Sequence, residues 1–205
     1  MRLLHIEYEL RSSLQEHHAA TSTHCARVSH IATEIAIQLG LSDAEVRVLA
    51  RAARLHDIGK IDVPSHLLIK TGQLTPDERA LLDCHPDLGV ARIACLIDDP
   101  TMIAVIGSHH ERWDGSGYPR GLAGAQIPLA ACIVAVADVY DALREARSYK
   151  PAWGHAEALS YLQSASGTKF APAVVEAFAA AASGASSAIT SIYTEETAAA
   201  FRLAA

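Results

Sequence analysis

From Thr23 onward the chain places Val28, Ile31, Ile35 and Leu39 at spacings of three and four, one face of an α-helix, and Gly40 ends the run. Ser42 and Glu45 then form a capping-box pair, opening a second helix that carries Val46, Leu49, Ala53 and His56. Pro64 starts a short helical turn reaching Ile69. Thr75 and Glu78 repeat the capping box, with Pro76 at the first helical position, where its missing N–H costs nothing. Apolar periodicity predicts further helices over residues 87–97, 101–110, 129–144, 155–164 and 172–181. A glycine-rich loop, 111–127, interrupts them, and its glycines 115, 117, 121 and 124 read as tight turns needing positive φ. No segment alternates as a half-buried strand does. The fold class is therefore all-α, a helical bundle of about seven to nine helices.

Residues 1–22 read as a helical or flexible extension, 23–182 as the domain, and 183–205 as an alanine- and serine-rich tail with helical character near 195–203. Composition agrees: half the 205 residues are hydrophobic but only 5% aromatic, and alanine, the best helix former, is abundant. A formal charge of −6 argues against binding duplex nucleic acid, which needs a basic face to displace counterions. It still allows a small anionic ligand, because metal ions and a few basic side chains reverse the sign locally. Cys25, Cys84, Cys95 and Cys132 form no C-x-x-C pair, and reduced thiols in the cytoplasm are the simplest reading. Residues 1–11 carry four charges and no apolar signal core, and the longest apolar run, 129–137, is too short to span a bilayer. The expectation is a cytoplasmic protein without membrane insertion.

Eleven histidines are a heavy load, and position separates them. His5, His17, His18, His30, His66 and His155 stand without an evident partner and read as surface or structural. His56-Asp57 has apolar flanks, and a buried carboxylate must be paired or ligated. An imidazole beside a carboxylate that can bridge two ions suits iron, manganese or zinc better than magnesium or calcium. The alternative is a helix C-terminus with Gly59 as its stop. His109-His110 ends an apolar stretch, and helical neighbours point about 100° apart. Both can serve one compact site only at a helix end, or by reaching different ions. Asp138 is a lone acid among core residues, while His85 follows the helix opened by Thr75 and His24 lies at the start of the first clear helix. Together these give five nitrogen and two oxygen donors from separate helices, a convergence that core packing does not call for.

Three stretches carry a resemblance: His56-Asp57-Ile58-Gly59-Lys60, the run from His109-His110-Glu111 through Asp114-Gly115 to Gly117-Tyr118-Pro119, and Asp138-Val139-Tyr140-Asp141. With them the chain resembles the HD-GYP family of the HD phosphohydrolase superfamily, from about Thr23 to Phe178. The resemblance implies an HD-domain helical bundle that hydrolyses cyclic di-GMP at a two- or three-metal centre. Its ligands would be His24, His56, Asp57, His85, His109, His110 and Asp138, with Asp57 bridging. Lys60, Arg147 and Lys150 resemble the family's phosphate-binding residues, and Tyr118 would lie near the substrate. Two departures stand out. The glutamate that trinuclear members carry one turn before the first histidine is Ala20 here, which favours two ions, iron or manganese. Cys132 stands where the family usually has arginine.

On this reading a hydroxide bridging two ions attacks the phosphodiester while Lys60, Arg147 and Lys150 hold its oxygens. Asp57 and Lys60 are the catalytic candidates; metal-bound water, Asp57 or Lys60 could protonate the leaving 3′-oxygen, and the products would be pGpG, GMP or both. Glu111, Asp114 and Asp141 could orient imidazoles, or could equally be caps and loop residues. Competing readings are a non-catalytic module binding a cyclic dinucleotide or a protein, and an HD hydrolase for another cyclic dinucleotide. A homodimer and a signalling-protein partner are both compatible with the sequence.

Overall fold

A computed structural model describes residues 2–146, 151–183 and 188–193. It is all-α, with no strand among the described residues. The helices are α1 (Arg2–His17), α2 (Ala19–Gln38), α3 (Asp43–Ala53), α4 (Ser65–Leu68), α5 (Pro76–Asp83), α6 (His85–Ile93) and α7 (Pro100–Ser108). After the glycine-rich loop follow α8 (Leu129–Arg144), α9 (His155–Ser164), α10 (Pro172–Ala181) and α11 (Ala188–Ser191). Setting aside the single turns α4 and α11 leaves nine, the upper end of the expectation. Among the described residues no helix is long and apolar enough to cross a membrane.

The local signals act as physical chemistry requires. Both capping boxes form, Ser42 with Glu45 and Thr75 with Glu78, each satisfying two backbone donors that the helix start leaves open. Gly40 takes φ +76° just beyond α2, a conformation that costs other residues a Cβ clash. One start had no conventional signal: the His18 ring accepts the Thr21 amide and caps α2. The N-terminal stretch is helical from Arg2 and packs inward, with Leu10 and Leu14 buried and Glu7 paired to Arg51 of α3.

α2 lies between α3 and α8, and α10 packs across α2 and α8. α8 is apolar almost all round: Ile133, Val134, Val136, Ala137 and Tyr140 have no exposed surface. Each large aliphatic side chain buried this way contributes about 1.5–3 kcal/mol. Cys132 is part of that packing, 6% exposed within the core. The predicted helix through His56 is shorter than expected. α3 ends at Ala53, and tight bonds from Leu55 to Ala52 and Ile58 to Leu55 turn the chain into a 3-10 helix over Ile58–Asp62. That turn packs on α6 and α1, which brings His56-Asp57 beneath the ends of α6 and α7.

Candidate metal centre

The carriers of the candidate ligands are mostly element ends. His56 and Asp57 occupy the turn after α3, His85 opens α6, and His109 and His110 follow the last residue of α7. His24 and Asp138 come from the bodies of α2 and α8. Gly59 is not a helix stop: it stays at negative φ, and a Cβ there would sit 2.0 Å from the His85 carbonyl oxygen. Its missing side chain lets the His-Asp turn press against α6. Gly117 also departs from the expectation of positive φ, which Gly115, Gly121 and Gly124 do adopt. A Cβ on Gly117 would meet the Arg112 nitrogen at 2.3 Å, so close approach of two backbones explains it.

All seven expected ligands are brought together. Donor atoms of Asp57, His85, His109 and His110 lie within 4.8 Å of one another, as do those of His24, His56 and Asp138. Cys25 Sγ forms a third such group with His56 and Asp57. The imidazoles are aimed by their outer nitrogens. His56 Nδ1 donates to the Ala53 carbonyl at 2.7 Å, His85 Nδ1 to Leu82 at 2.8 Å, and His109 Nδ1 to Ile106 at 3.0 Å. A carbonyl only accepts, so each Nδ1 carries the proton and each neutral ring presents a lone pair at Nε2. The Nε2 atoms of His85 and His109 face each other at 3.2 Å. Asp57 Oδ1 lies 3.3 Å from the first and 3.8 Å from the second, yet neither it nor His56 Nε2 has a hydrogen-bond partner. Buried lone pairs facing one another without donors call for a cation, and nitrogen–oxygen donors with fixed outer shells are what a transition-metal ion takes. The residues present therefore fit metal ions.

Electrostatics divide the cluster. Burial lowers the His56 pKa, and burial with three neighbouring imidazoles holds His109 well below the usual histidine range. Burial takes His110 down to about 3. For Asp57 burial works upward but is outweighed by Lys60, His56 and His85, leaving the carboxyl well below its usual range. Lys60 Nζ lies 2.5 Å from Asp57 Oδ2; burial lowers its pKa, but Asp57, with help from Asp138 and Cys25, raises it above the usual lysine value. At the other end burial disfavours charge on His24, but Asp138 at 2.9 Å and Asp141 at 2.7 Å raise it to about 10. Asp138 is correspondingly well below the carboxylate range, against the effect of burial.

The three outer carboxylates take different roles. Asp141 alone holds an imidazole, accepting from His24 Nδ1 and from Arg27. Glu111 instead accepts the amides of Arg120 at 2.8 Å and Leu122 at 3.0 Å, fixing the glycine-rich loop. Asp114 accepts the Ser116 amide and hydroxyl within that loop. Tyr118 stacks on His110 at 4.8 Å between centroids, 25° from parallel, at the edge of the cluster. Arg147 and Lys150 lie outside the described residues. Sequence reasoning missed Arg27, whose only signal is its place one helical turn after His24, and Cys25, which has none.

The geometry agrees with known proteins. The chain matches the HD domain family over residues 9–174. It belongs to that family. The cyclic di-GMP phosphodiesterase response regulator RpfG of Xanthomonas campestris pv. campestris is 46% identical over 172 residues, covering 82% of this chain and 45% of the relative. A 3′3′-cGAMP-specific phosphodiesterase 2 of Vibrio cholerae is 35% identical over 171 residues, covering 82% of this chain and 33% of that one. Among solved structures, the HDG"Y"P protein Bd1817 of Bdellovibrio bacteriovorus superposes with a TM-score of 0.64 at 27% identity, over 78% of this chain and 52% of that chain. The HD-GYP resemblance read from the three motifs therefore holds, and this HD domain chain spans less than half the length of these two relatives.

Proposed function

We propose that the chain is a metal-dependent phosphodiesterase that hydrolyses cyclic di-GMP to pGpG, GMP or both. The observation that carries this is the convergence of the His56, His85 and His109 Nε2 atoms, each on a ring whose proton is held at Nδ1, on the buried Asp57 carboxylate at 3.5, 3.3 and 3.8 Å. Two divalent ions would be held by the two donor groups, His24, His56 and Asp138 for one and Asp57, His85, His109 and His110 for the other, and Asp57, next to His56, would serve both. Iron or manganese matches the mixed nitrogen and oxygen donors. Ala20, exposed on α2, offers no donor for a third ion. Such ions supply a water-derived nucleophile at neutral pH and positive charge against the phosphodiester.

The chain's own groups do the rest. The backbone carbonyls hold the histidine tautomers, so that the donor atoms need no reorganisation when substrate arrives. Lys60, a quarter exposed at its side chain, holds Asp57 and is within reach of an incoming non-bridging oxygen. Arg147 and Lys150 are proposed as further phosphate contacts, and Tyr118 as a wall of the substrate site. Turnover of cyclic di-GMP by protein reconstituted anaerobically with iron(II) or manganese(II), with products separated by chromatography, tests this. Metal-dependent release of pGpG or GMP supports it; no product at full metal occupancy overturns it. The cGAMP-specific relative favours one second reading, another cyclic dinucleotide as substrate, which the same assay with 3′3′-cGAMP distinguishes.

A further inference from the structure

Asp141 has no exposed surface, and its two oxygens are filled completely. Oδ1 accepts Arg27 Nε at 2.7 Å and the Tyr193 hydroxyl at 2.7 Å. Oδ2 accepts Arg27 Nη2 at 2.8 Å and His24 Nδ1 at 2.7 Å. A carboxylate offers about four acceptor positions, so all are used. Arg27 grips both oxygens in its fork, which sets the plane of the carboxylate. Tyr193 supplies the remaining donor from a different part of the chain, beyond the residues that match the HD domain family.

The segment bearing Tyr193 is seated independently of that hydroxyl. Ile189 and Ile192 are buried in the core, and the His30 ring contacts the Ala188 carbonyl at 3.2 Å. The Arg144 guanidinium lies 4.4 Å from the centre of the Tyr193 ring, and Tyr140 meets it edge-on at 6.0 Å. A phenylalanine keeps the ring and these contacts and removes only the donor.

We propose that Tyr193 is a positioning residue of the metal centre: its hydroxyl completes the shell of Asp141 and through it fixes His24, so metal retention depends on the docked C-terminal segment. The proposal rests on the metal-centre reading above. Without the hydroxyl, one Oδ1 lone pair is buried with no donor, and the Oδ1 side of the carboxylate is held by Arg27 alone. Direct outer partners of ligating histidines are worth about 10–100-fold in metal affinity. One step further out, Tyr193→Phe should weaken affinity by about threefold to tenfold.

The test titrates manganese(II) into the metal-free chain of 205 residues and follows free ion by electron paramagnetic resonance, with thermal unfolding of the same samples. Ile192→Val is the companion variant; it loosens the segment by one methyl group and leaves the hydroxyl in place. The expected result is weaker manganese binding by Tyr193→Phe, unchanged binding by Ile192→Val, and turnover by Tyr193→Phe that recovers at saturating metal. Lower thermal stability of Tyr193→Phe with unchanged manganese affinity overturns the proposal. Equal weakening by both variants also overturns it, because looseness and not the hydroxyl would then be responsible. If the wild-type chain binds no manganese, the metal-centre reading itself fails and the proposal with it.

Discussion

The two ends of the histidine cluster are built in opposite ways. Around Asp57 the polar groups are under-satisfied: His85 and His109 turn lone pairs toward each other, and His56 Nε2 and Asp57 Oδ1 have no partner. Around Asp141 every acceptor position is filled, and His24 is held at both nitrogens. A buried polar atom without a partner costs about 1–3 kcal/mol, and more when it is charged. The first end therefore stores a demand for a cation, while the second spends protein contacts on holding one ligand still. Affinity and alignment are thus supplied from different places.

The comparison breaks most completely at Asp57, the carboxylate that faces the His85 and His109 nitrogens. Asp57→Ala should lose both metal content and turnover, since it takes away the carboxylate that lies with His85, His109 and His110 and beside His56; elemental analysis and the phosphodiesterase assay measure the two effects. A variant that keeps two ions would show that the lone pairs alone suffice. Next in size is metal removal from the wild-type chain. An ion that binds only the folded state stabilises it by about 4 kcal/mol at a thousandfold excess over Kd. Chelation should lower the unfolding temperature, and manganese should restore it in wild type but not in Asp57→Ala.

A smaller effect is expected at the satisfied end. Asp141→Asn puts an amide donor against Arg27 or His24, where only acceptors fit. Metal affinity should fall by about 10–100-fold, with the ion nearest His24 lost first. Calorimetric titration should separate the two binding steps, and equal weakening of both would blur the distinction between the ends. Folding stability should also fall, by about 1–3 kcal/mol, because the buried Arg27 fork then faces a neutral amide and keeps only Glu145, at 3.0 Å, as a charged partner.

How much of this was legible in sequence follows from the range of the forces involved. The seven donor positions could be read because charged or imidazole groups in apolar surroundings need an explanation, and helix ends could be read because caps are local. What escaped depends on tertiary approach. The α3 end at Ala53 is set by the packing of the His-Asp turn on α6, and Gly59 and Gly117 are required by backbone contacts from distant segments. Glu111 looked like a candidate to orient an imidazole; only the folded loop shows that it serves the Arg120 and Leu122 amides. Tyr193 has no motif at all, and its meaning comes from a partner 52 residues away in sequence.

The smallest expected effect lies outside both ends and marks where the site stops. Glu7 of α1 receives the Arg51 guanidinium of α3 at both oxygens, with the arginine partly open to water. Exposed ion pairs contribute about 0–1 kcal/mol, and this bidentate, half-buried one belongs near the top of that range. Glu7→Gln should therefore lower the unfolding temperature by about 2–4 °C and leave manganese affinity unchanged. The second half of that prediction is the sharper one. α1 packs on the 3-10 turn that carries Lys60, and Lys60 holds Asp57. If loosening α1 changed metal affinity, the under-satisfied end would extend through Lys60 into the N-terminal helix, and α1 would be part of the centre's support. Unchanged affinity with lowered stability confines that end to the His-Asp turn and the starts and ends of α6 and α7.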